Sequence, residues 1–148
     1  MKRYKMRVRE TVVLRVVAKL LIPFILIFAL YVQFHGDFGP GGGFQAGVIF
    51  AAGFILYALV FNLDALEEVV KFRTLEVMAA LGVLLYGGVG FVSLLRHGNF
   101  LDYGVLNHHD PVHGQHLGIF LVELGVGIAV AAVMMAIFGQ FAGRGRER

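Results

Sequence analysis

The chain has 148 residues, of which 58% are hydrophobic and only 16% charged. A soluble domain lies nearer to half apolar and a quarter charged, so this composition belongs to an integral membrane protein with no room for a second globular domain. The absence of Cys excludes disulfides, thiol catalysis and Cys-ligated metals. The net charge of +3 comes from basic residues at the two ends, beside apolar runs, a pattern that fits membrane topology rather than nucleic acid.

The first eleven residues are polar and carry Lys2, Arg3, Lys5, Arg7 and Arg9. Four apolar spans follow, near residues 12–34, 44–61, 75–95 and 117–138, each long enough for a hydrocarbon core of about 30 Å. The runs are too long and continuous for barrel strands, so the expected fold is all-α with four transmembrane helices. The first run contains Lys19 and no small-residue cleavage site follows it, which predicts a retained helix rather than a signal peptide. The connections are a Gly/Pro stretch, an acidic-then-basic loop at 62–74 and a His-rich loop at 96–116. An even number of spans puts both termini and the middle loop on one side. That side holds twelve of the 13 Lys and Arg residues, and the other holds only Arg96. The positive-inside rule therefore predicts cytoplasmic termini.

The Gly/Pro stretch joins the first two spans and runs from His35 through Gly36, Gly39, Pro40, Gly41, Gly42, Gly43 and Phe44 to Gly47. Its glycines allow turns that other residues would block, and Pro40 suits the residues just ahead of a helix. One reading is a tight, closely packed bend; the other is a helix start whose free N–H groups face something polar. Small residues also recur at helix-packing spacing in Gly43, Gly47 and Ala51, in Gly114 and Gly118, in Gly125 and Ala129, and across Gly82 to Gly90. Such stripes predict close contacts among its own helices and with other subunits.

Glu123 is the most informative ionisable residue, about six residues into the last span and about 9 Å below its outer boundary. Seven residues rotate a helix by about 700°, which puts His116 on the same stripe about 10 Å away. Two alternatives stay open: a proton path that uses both groups, or a carboxylate that pairs with a basic residue of a neighbouring subunit. Anchoring is favoured, because one deep carboxylate is no relay. Arg15 and Lys19 share one face near the cytoplasmic end and are expected to snorkel, with Lys19 also able to meet a partner's carboxylate. His109, His113 and His116 have i, i+4, i+7 spacing, but Pro111 and Gly114 argue against one regular helix through all three, so no metal site is assigned. No nucleotide fingerprint or catalytic triad is present, and neither enzyme chemistry nor a cofactor is expected.

The segment from Tyr31 and Gln33 through His35-Gly36, followed by Gly39-Pro40-Gly41-Gly42-Gly43-Phe44-Gln45-Ala46-Gly47, resembles the signature of the MrpB (MnhB) family. The resemblance extends over essentially the whole chain, including His113-Gly114-Gln115-His116 and the Gly-rich last helix with Glu123. It implies an accessory, structural subunit of a Mrp-type Na+/H+ antiporter complex in the cytoplasmic membrane, with other subunits and lipid as partners and no redox centre. It also implies that Pro40 and Phe44 bear on the function of the complex. Homologous subunits occur in membrane-bound hydrogenases and related complexes, which is the alternative; a stand-alone homo-oligomeric channel or transporter is a third reading, of another class.

Overall fold

The computed structural model describes residues 12–36, 39–107 and 109–144. The basic residues at 2–9 and 146–148, together with Asp37, Phe38 and His108, lie outside the described residues. Among the described residues, five α-helices and one 3₁₀ turn follow in order: α1 (Val12–His35), α2 (Gly43–Phe61), α3 (Leu63–Val69), α4 (Phe72–Leu95), the turn Tyr103–Leu106, and α5 (Pro111–Ala142). Four of them, α1, α2, α4 and α5, are long and apolar enough to cross a membrane.

The architecture follows from where the small residues fall. The α2–α5 crossing is made of Gly47 against Gly127: a Cβ on Gly47 would fall 2.6 Å from the Gly127 carbonyl. In the same way Gly82 of α4 meets the Gly125 carbonyl, again at 2.6 Å, and the Ala129 amide. Without side chains in the seam the backbones approach closely, and in lipid that contact is what holds helices together. Helix α5 is therefore the central post, with α4 on one flank and the α1–α2 hairpin on the other. Ala51, Leu75, Ala131, Ala132 and Met135 form the main buried cluster beneath this crossing. Of the glycines in the third span, Gly82 packs on α5 and Gly90 on the Phe100 ring, whereas Gly87 and Gly88 face open space.

Two connections differ from the sequence expectation. Residues 62–74 are not simply a loop. Asn62, at φ 102°, accepts a hydrogen bond from the Ala65 amide and starts α3, whose Leu63 and Leu66 pack with Ala58. Side-chain-bearing residues seldom adopt this backbone region, and the Asn62 amide oxygen serves as the cap there. The second difference is the last span. It starts at Pro111 rather than 117 and runs for 32 residues. Asp110 Oδ1 accepts from the Val112 and His113 amides, while Pro111 takes the first helical position, where no N–H is needed. Asn107 Oδ1 in turn accepts from the His109 and Asp110 amides. Residues 111–116 of the His-rich loop are thus the opening turns of α5.

The remainder of that connection is folded back onto the helix pair. Arg96 donates to the carbonyls of Val105 and Leu106 at 3.2 and 2.9 Å, which pins the 3₁₀ turn. Tyr103 then covers Gly114 with its backbone and Gly118 with its ring. Burial raises the Tyr103 phenol above its usual value of 10.0, and Tyr86 adds to the shift.

Candidate functional site

The Gly/Pro stretch comes together with Glu123. A Cβ on Gly36 would lie 2.5 Å from Glu123 Oε2, and one on Gly42 would lie 3.0 Å from Oε1. Gly43 lies against the Glu123 backbone so closely that any side chain there would run into its carbonyl. The carboxylate is cradled between the end of α1 and the start of α2, half-buried, at the bend of the hairpin. The first turn of α2 carries no acidic residue and its N-cap, Gly42, makes no side-chain capping bond. A carboxylate beside that N-terminus sits at the positive end of the helix dipole, where negative charge is favoured.

The glycines of the bend divide into two kinds. Gly41 has φ +150°, a conformation that side-chain-bearing residues seldom adopt, so it supplies the turn. Gly42, at φ 169°, is extended backbone open to any residue; what it supplies is space for the carboxylate. Pro40 and Phe44 are exposed on either side of the bend. Gly39 packs on the His35 ring, and His35 stacks on Tyr31 with ring centroids 5.1 Å apart. Phe34 and Phe120 stack at 6.0 Å and close the α1–α5 contact next to the bend. An open recess of about 410 Å³ lies beside it, lined by the three glycines, Phe44, Gln45 and Glu123.

The other residues singled out from sequence fall elsewhere. His116 is exposed on α5, about two turns beyond Glu123 towards the helix start. His113 is also in α5, whereas His109 precedes its first residue, so Pro111 begins that helix instead of interrupting it. Lys19 is far from Glu123: sixteen residues, about 24 Å along α1, separate it from His35. It lies over the Phe61 ring at 5.7 Å, and Arg15 lies over the same ring at 5.4 Å. These cations border the C-terminal end of α2 with their charge held over an aromatic face.

Sequence reasoning did not single out Gln33 as a site residue. It is buried, with 7% of its surface exposed, and its carboxamide oxygen lies against Gly127. Gln33 precedes Gly36 by three residues and Gly127 follows Glu123 by four, so the pairs Gly36–Glu123 and Gln33–Gly127 are successive rungs of one α1–α5 contact. The signal was a polar residue in an apolar run, which sequence alone leaves facing any direction.

Comparison with known proteins agrees with this layout. Residues 13–136 match the family described as "Domain related to MnhB subunit of Na+/H+ antiporter". Proteins of Staphylococcus aureus provisionally named antiporter subunit mnhB2, in strains Newman, JH1 and Mu3, are 35% identical over 136 residues, covering 89% of this chain and 94% of theirs. The match takes in α2 and α4 whole, nearly all of α1, most of α5, the glycine bend and Glu123, and the chain belongs to this family of MnhB-related membrane domains.

Proposed function

We infer that the chain is an accessory, structural subunit of a multisubunit Na+/H+ antiporter complex, multi-pass in the cytoplasmic membrane with both termini inside. Family membership supports the complex, and the twelve-to-one distribution of Lys and Arg supports the orientation. The observation that carries the role is the seating of Glu123 in the glycine bend. It locks the α1–α2 hairpin to α5 through a charge that this chain's own backbone helps to hold. The lock fixes how Pro40 and Phe44, both exposed at the bend, are presented to neighbouring subunits. No catalytic chemistry is assigned to the subunit; its function is to hold a rigid, polar-centred face in the assembly. Glu123 acts as an anchor in this reading, and His116 lies too far along α5 to share its seat.

Glu123→Gln tests this. It keeps the shape of the side chain and removes the charge, which weakens the interaction with the start of α2. The expected outcome is a lower yield of assembled complex, purified through a tag on another subunit, with membrane insertion of the free chain unchanged. Normal assembly with impaired transport would move Glu123 to a proton path. Normal assembly with normal transport across pH would remove it from both roles.

A further inference from the structure

We propose that Gln33 is a hydrogen-bond donor reserved for a transmembrane helix of another subunit. Its Nε2 has no hydrogen-bond partner although the residue is more than nine-tenths buried. It lines a cavity of about 150 Å³ whose other walls, among them Ala29, Leu30, Gly47, Phe50 and Gly127, are apolar or backbone. A buried donor without an acceptor is costly, and more so in hydrocarbon. Gln33 lies two residues from the end of α1, and the cavity it lines supplies no remedy of its own. Acyl chains carry no acceptor, and an ordered water needs two to four polar partners that these walls do not supply.

The occupant that fits is a side chain with an apolar body and one acceptor at its tip, brought by a neighbouring helix. The cavity borders α1, the most exposed of the four long helices, and its α1 wall includes Leu30, which is itself exposed. A helix packed over Leu30, beside Leu124 and Ile128 of α5, which also line the cavity, would reach Gln33 through it. Polar side chains of this kind contribute to helix association in membranes because lipid offers no competing partner. The inference rests on the reading of the chain as a subunit of a complex, and it identifies one of the surfaces used.

The test is Gln33→Met, which keeps approximate volume and removes the donor, measured in two settings. In the isolated subunit in mild detergent the donor is unpaired, so the variant should melt at the same temperature as the wild type or a few degrees higher. In the whole complex, purified through a tag on another subunit, the variant should be recovered several-fold less than the wild type. A lower melting temperature in the isolated subunit would mean that the chain itself, or trapped water, satisfies Gln33, and would overturn the proposal. Unchanged recovery in the complex would overturn it too. A wild-type chain that co-purifies with no other subunit would overturn the antiporter reading first and this inference with it.

Discussion

Glu123 and the three glycines around it divide the work of the bend at the level of single residues. Gly41 is needed for its backbone angle, Gly42 for the room it leaves the carboxylate, and Gly43 for the direct approach of α2 to α5. Gly43→Ala should therefore be the most damaging of the conservative changes. Its methyl group would meet backbone, which cannot swing aside, and the cost should be on the order of 2–4 kcal/mol. A fall in the thermal midpoint of the isolated subunit checks it, with Gly87→Ala as the control, since a Cβ at Gly87 meets nothing. Sequence showed Glu123 as unusual and the glycines as unusual, but not that one cradles the other. Eighty residues separate Gly43 from Glu123, and helical periodicity says nothing about which helix faces which.

At the scale of the elements, the four spans were legible because length and hydropathy alone set them, with no folding partner to consult. The ends were less legible. The start of α5 was missed because a polar, His-rich opening turn lacks the apolar signal, even though Asp110 followed by Pro111 is a cap followed by a first helical residue. Asp110→Ala should fray that turn at a cost of about 1 kcal/mol, visible as faster amide exchange at Val112 and His113 with the rest of α5 unaffected. Helix α3 was missed because seven residues show less than two turns of periodicity. The α4–α5 connection also carries a pH dependence. The raised Tyr103 phenol means that the folded chain favours the neutral form, so stability is present below pH 10 and is lost as pH rises beyond it. Limited proteolysis of the connection should accelerate at strongly alkaline pH, and Tyr103→Phe should abolish most of that acceleration.

The whole molecule adds orientation, for which the Lys and Arg count is the argument. A cysteine at Glu68, exposed on α3, should resist a membrane-impermeant thiol reagent applied to intact cells, while one at Asn99, exposed between α4 and α5, should react. The opposite pattern would invert the topology. Composition revealed the membrane class and the number of spans, whereas the exposed faces of α1 and the orphaned Gln33 donor emerge only when the helices are placed side by side.

Helices α2 and α5 also differ in length, and this bears on what surrounds the bend. Glu123, level with the bend, is twelve residues into α5, so α5 continues about 18 Å past the tip of the hairpin. Helix α2 has 19 residues, about 28 Å, against about 48 Å for α5. Helices α1 and α4 have 24 residues each, so the step is made by α5 alone, and its extra turns open with the polar stretch that carries His113, Gln115 and His116. Headgroups and water, or a neighbouring protein, would meet α5 above the bend. In either case Glu123 lies at the floor of that step, and whatever fills the step sets the polarity around its carboxylate.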